Sequence, residues 1–129
     1  MRVYGKRWEK LRAAILKRDG YRSQLASRYG IARPAEVVHH ILPVEFFPEY
    51  RYKAWNLISV TTAEHNRLHE RGTHQLADEG MRLALKTARL QGMDLAEIQD
   101  RMKGDPDESR RQGQVQRQRV ERSSAIRQG

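Results

Sequence analysis

Four of the chain's histidines, His39, His40, His65 and His69, fall in one short stretch with Asn56 between the pairs. An imidazole is the side chain whose charge changes near neutral pH, and it is the commonest metal ligand. His65 and His69 stand at i and i+4, so on a helix they share a face and form a two-point metal clamp. One imidazole from a facing strand would complete a three-histidine site with positions open for water and substrate. His39 and His40 are adjacent in VVHHILP, a strand-like run, so their rings face opposite sides and only one of them turns toward such a helix. Asn56, with an amide that both donates and accepts, can brace backbone or a ring nitrogen across the connection between the pairs. His74, the fifth histidine, follows in RGTH and is read as an ordinary polar residue.

The elements that must position these groups are legible in outline. Residues 5–19 carry Trp8, Leu11 and Ile15 at helical spacing, with Leu16 flanking and Gly20 as a stop. Residues 21–34 read as a loop. Residues 35–42 and 57–61 read as strands, and the aromatic-rich segment 44–55 as an irregular connection packed by its own rings. A helix is expected from Thr61 to Gly72, with Thr61 and Glu64 at the spacing of a capping box. Two more follow over 75–91 and 94–102, the second opened by Asp94 and Glu97. From Gly104 the chain is rich in Gln, Arg, Ser and Gly with few aliphatics, and is expected to be a disordered tail.

The 129 residues suit one small domain, and with 32% charged residues there is little apolar material for a core. The formal charge is +9, of which residues 1–22 carry +6, so a polyanion is the expected partner. Lys6, Arg7, Lys10, Lys17 and Arg18 on the first helix, with Arg67 and Arg71, are the candidate phosphate contacts. There are no cysteines, which excludes disulfides and thiolate metal sites. No apolar run is long enough to span a bilayer, and the start of the chain lacks the apolar core of a signal peptide. The expectation is a cytoplasmic protein with no membrane partner.

The ordered set VHHILP, WNLISVT and AEHNRLHERG resembles the HNH endonucleases, whose ββα-metal motif matches here at His40, Asn56 and His65. The doubled histidine and the second helical histidine are similar to the nuclease domains of DNase colicins. WEKLRAAILKRDGY looks like the entry helix of phage and bacterial members. The resemblance spans roughly residues 6–74. It implies an α+β fold: a small ββα-metal core with a basic N-terminal helix in residues 1–75, a helical extension over 76–103, and the tail 104–129. Many relatives carry two CxxC pairs that bind a structural zinc. The corresponding positions here are Ser23 and Ala26, then Thr61 and Glu64, so that zinc is absent. The capping box is the expected substitute for the second pair, with Trp8, the 46–55 aromatics and Leu57 bearing the core.

The resemblance further implies that His40 is the general base and that His39, His65 and His69 hold one divalent cation. Asn56 would join the catalytic set by fixing the connection and so the ring of His40. Three imidazoles by themselves favour Ni²⁺ or Zn²⁺, whereas the family commonly works with Mg²⁺ or Mn²⁺. The implied activity is hydrolysis of DNA to 5′-phosphate and 3′-hydroxyl ends. With no second sequence-reading module, that would be nicking or cleavage of low specificity. A role beside a phage terminase is a further implication, and a monomer is the default state. The rival readings are a non-catalytic nucleic-acid-binding protein and a packaging accessory on the same scaffold.

Overall fold

The computed structural model describes residues 5–71, 73 and 75–104; Gly72, His74 and the tail expectation beyond Gly104 lie outside the described residues. Helix α1 (Lys6–Arg18) buries Trp8 and Ile15 and leaves its cationic face to solvent. It ends where Gly20 turns left-handed at φ 65° and the Tyr21 N–H reaches back to the Leu16 carbonyl at 2.8 Å. The loop expected over 21–34 contains a short helical turn, α2 (Gln24–Ser27), because the Ser23 hydroxyl caps it by accepting from the Ala26 N–H.

Strands β1 (Val37–His40) and β2 (Leu57–Val60) pair antiparallel, with Val38 opposite Ser59 and His39 opposite Ile58. Alternation sends Val38 and Leu57 to one face, where they meet Trp8 and Ile15 of α1. The other face sends Ile58 and Val60 into a larger core with Ile41, Leu42, Phe46, Phe47 and Leu68. Side chains such as Phe47 and Leu42, fully removed from water, each contribute roughly 1.5–3 kcal/mol. The connection between the strands is irregular, as expected, with short 3-10 turns at Pro48–Tyr50 and Ala54–Asn56. Its rings pack on one another, Tyr50 lying 5.1 Å from Trp55.

Helix α3 (Thr62–Leu68) begins at the expected capping box: Thr61 Oγ1 accepts from the Glu64 N–H at 3.0 Å, and Glu64 Oε1 accepts from the Thr61 N–H at 2.8 Å. Ser23 joins that box by donating its hydroxyl to Glu64 Oε1, and Arg33 stands 3.6 Å from Oε2. Ser23, Thr61 and Glu64 are therefore tied by a hydrogen-bond knot that holds α2 to α3.

The expected end of α3 at Gly72 is corrected. The helix stops at Leu68, and His69 is extended, with φ −111° and ψ 152°. The chain turns back on itself instead. His69 bridges Leu76, the Glu70 N–H donates to Gln75 O, and the Ala77 N–H takes the Leu68 carbonyl. Helix α4 (Asp78–Leu90) then packs so closely that a Cβ on Gly80 would overlap that same carbonyl oxygen. Helix α5 (Leu95–Lys103) is capped by Asp94. It buries Ile98 in the core that the ββα unit also fills, so residues 76–103 share one core with the strands. No helix among the described residues is long and apolar enough to cross a membrane.

Candidate metal centre and general base

His39 leaves β1 on the face toward α3 and is 1% exposed. His65 projects from α3, and His69 reaches the same point from the extended residue after the helix. The ring centroids lie 5.3 Å apart for His39 and His65, 5.2 Å for His39 and His69, and 4.8 Å for His65 and His69. One nitrogen from each ring lies within 4.8 Å of the others. Loss of helix at His69 does not dissolve the clamp that the i, i+4 spacing predicts, because the bridge to Leu76 keeps its ring beside His65.

This arrangement fits a metal ion. Both ring nitrogens of His39 are buried without a hydrogen-bond partner among the described residues. Such a group costs about 1–3 kcal/mol if nothing satisfies it. Burial, and then positive charge on His69, His65 and His40, pushes the His39 ring well below the usual histidine value. It is therefore a neutral imidazole with a lone pair to give, which is the ligand form. A triad of nitrogen donors leaves coordination positions open for water or an oxygen anion.

His40 leaves the strand on the opposite face. Its ring stacks on Trp8 at 4.9 Å with the planes 21° apart. Its Nε2 lies 3.1 Å from the Arg51 carbonyl oxygen. A carbonyl only accepts, so Nε2 carries the proton and Nδ1 is the basic nitrogen. Burial lowers the pKa of this ring from its ordinary value, the Arg51 carbonyl raises it, and charge on His65 lowers it; the net direction is down. A ring shifted in that direction is a neutral imidazole at pH 7, the form that can accept a proton.

Asn56 is fully buried, and its side-chain amide bonds to backbone. Its Oδ1 accepts from the Leu42 N–H at 2.7 Å, and its Nδ2 donates to Leu42 O at 3.1 Å and Tyr50 O at 3.2 Å. These bonds fix the Tyr50 carbonyl, one peptide before the carbonyl that meets the His40 ring. Sequence patterning does not single out Trp8 or Arg51 for this site. Trp8 reads from sequence as a core residue on the α1 stripe, and Arg51 acts through its main chain, which leaves no sequence signal.

Among the cationic candidates, Lys6, Arg7, Lys10, Lys17 and Arg71 are exposed, and Arg7 lies 4.0 Å over the Tyr52 ring. Arg67 is half-exposed and 3.6 Å from Glu79. Arg18 is exposed too, and it pairs with Asp19 and donates to the carbonyls of Ala54 at 2.9 Å and Leu57 at 2.7 Å, so its guanidinium also ties α1 to β2.

No protein-family model and no curated protein matches the chain. Among solved structures, the HNH endonuclease of the deep-sea thermophilic bacteriophage GVE2, crystallised with manganese ion, is 33% identical in sequence. The match covers 49% of this chain and 68% of that one, with a TM-score of 0.48. The identity over that span, taken with the ββα order and the placement of His39, His40, Asn56 and His65, makes the chain a member of the HNH endonuclease family.

Proposed function

We propose that the protein is a metal-dependent endonuclease that hydrolyses DNA phosphodiester bonds with low sequence specificity. The observation that carries this reading is the convergence of His39, His65 and His69, with His40 on the adjacent strand position held as a neutral base. His39, His65 and His69 would hold one divalent cation, and Mn²⁺, the ion in the phage relative's crystal, is the first to test. When bound, such an ion neutralises charge on the scissile phosphate and on the leaving oxygen.

His40 Nδ1 takes a proton from water as the water oxygen bonds to phosphorus. The bond from phosphorus to the 3′ oxygen breaks, and that oxygen takes a proton from solvent water, leaving 5′-phosphate and 3′-hydroxyl ends. The Nε2–H bond to Arg51 O stabilises the imidazolium that forms, and Trp8 keeps the ring plane fixed. Asn56 keeps the connection from shifting. Lys6, Arg7, Lys10 and Lys17 along α1 attract the phosphate backbone without reading bases.

The test is relaxation of supercoiled plasmid by the full chain in EDTA, Mg²⁺, Mn²⁺, Ni²⁺ and Zn²⁺, beside His40→Ala. The expected result is metal-dependent nicking that falls by about 10²–10⁴-fold in the variant, with metal binding by calorimetry retained. A protein that shifts DNA at low salt but cuts with none of these ions would instead be a binding module on this scaffold.

A further inference from the structure

Tyr21, Tyr29 and Ile31 are three of the four large hydrophobic side chains that stand exposed among the described residues. All three lie in the loop between α1 and β1, with Tyr29 82% and Tyr21 60% exposed. Single exposed apolar residues need no account, but a concentration of them marks a contact surface. Arg22, Arg28 and Arg33 interleave with them, and no acidic residue occurs between Gly20 and Ala35. None of these three arginines belongs to the basic face of α1.

The loop is held rigidly. Arg22 and Pro34 form an antiparallel bridge at its neck, the Ser23 N–H donates to Arg33 O at 2.8 Å, and the Ala35 N–H donates to Tyr21 O at 2.9 Å. At its tip, Gly30 turns at φ 72°, and the N–H groups of Tyr29 and Ile31 both return to Ala26 O. Tyr21 is left-handed at φ 59°, a conformation that L side chains rarely adopt and that the neck bonds maintain. The Ser23 hydroxyl bonds the loop to Glu64, the residue before His65. The rings are therefore displayed on a hydrogen-bonded backbone tied to α3 at the residue before His65, with little backbone ordering entropy left to lose on binding.

Exposed aromatic rings interleaved with guanidinium groups carry the chemistry by which unpaired bases stack while phosphates are neutralised. A duplex hides its base faces and would use only the arginines. We infer that the loop 21–33 is a stacking platform for single-stranded DNA, engaged by a strand whose bases are unpaired next to the site of cleavage. This rests on the reading of the chain as a DNA-acting protein, and it names the form of DNA that this reading leaves open.

The experiment is fluorescence anisotropy in EDTA with a fluorescein-labelled oligonucleotide, single-stranded and as a blunt duplex, across a salt series. Tyr29→Ala is expected to weaken single-strand binding by about 5- to 100-fold and duplex binding by less than about twofold. Tyr29→Phe, which keeps the ring, restores wild-type affinity. The Tyr29→Ala defect persists unchanged as salt rises, whereas Arg28→Gln lowers the salt slope, because only the cation releases counterions. Should Tyr29→Ala alter the melting temperature, Tyr21→Asn supplies the same comparison, since Asn tolerates the left-handed backbone.

Equal single-strand binding by wild type and both tyrosine variants overturns the platform, as does an equal loss on both DNA forms. Self-association in sedimentation that Tyr29→Ala abolishes, with DNA binding untouched, would make the loop a protein interface instead. The two readings fail separately. Plasmid nicking with tyrosine-independent binding sinks only the platform, while tyrosine-dependent single-strand binding without cleavage sinks only the nuclease.

Discussion

His39 shows how one residue can serve function at the expense of stability. Its ring is sealed from water with both nitrogens unsatisfied among the described residues, a cost that a bound cation would remove. His39→Leu replaces it with an apolar side chain of similar volume facing Ile58 across the sheet. In EDTA this variant is expected to be more stable than wild type by about 1–3 kcal/mol. Adding Mn²⁺ should raise the melting temperature of wild type and leave that of His39→Leu unmoved. A variant less stable than wild type in EDTA would mean the His39 nitrogens are already satisfied without metal. The doubled histidine thus serves two faces of one strand: one ring turns to α3 beside His65, where the proposed cation would sit, and the next turns to Trp8, where the proposed base stands.

Between elements, short polar ties do work that apolar burial cannot do in so charged a chain. The Ser23–Glu64–Thr61 knot fixes α2 to α3, and the Arg18–Asp19 pair fixes α1 to β2. Burial raises the pKa of Asp19, but hydrogen bonds from Arg18 and Ser59, with the Arg18 charge, outweigh it and hold the carboxyl below its ordinary 3.8. A depressed carboxylate contributes stability that is fully present above the unfolded value and is lost as pH falls through the lower folded value. Asp19→Asn is therefore expected to cost about 1–2 kcal/mol at neutral pH. Melting curves should show that difference constant down to about pH 5 and shrinking below pH 3.8. A difference independent of pH would assign the loss to packing, not to the charge.

At the scale of the molecule, α5 is anchored to the inter-strand connection by a buried ion pair. Arg101 binds both oxygens of Glu49 at 3.0 Å, and its guanidinium lies 4.3 Å over the Phe47 ring. The pair clamps the segment whose Arg51 carbonyl orients His40, so the C-terminal helix supports the candidate site from a distance. Arg101→Met leaves Glu49 buried without its cation and is expected to cost roughly 3–5 kcal/mol in urea unfolding. Adding Glu49→Met should recover much of that loss, because two apolar side chains leave no stranded charge. A single variant within about 0.5 kcal/mol of wild type would show that water already reaches Glu49.

Local chemistry is legible in the sequence wherever a signal is carried by neighbours along the chain. The α1 stripe, the two strands, the capping box at Thr61 and Glu64, and the i, i+4 pairing of His65 and His69 follow from residue type and spacing, whereas the choice of His39 as their partner rests on the family resemblance. What only the tertiary structure decided were contacts between residues far apart in sequence. His69 is extended because Leu76 and Ala77 capture the chain after Leu68, which helical periodicity cannot foresee. Arg18 also ties α1 to the sheet because the fold brings the Ala54 carbonyl of the 3-10 turn and the Leu57 carbonyl of β2 within its reach. Ser23 becomes part of the α3 cap, and Trp8 the stacking partner of His40, because a two-stranded sheet brings α1, α2 and α3 to its faces. Propensity and periodicity act over a few residues, whereas the groups that hold the rings of this site are joined by hydrogen bonds and packing across tens of residues.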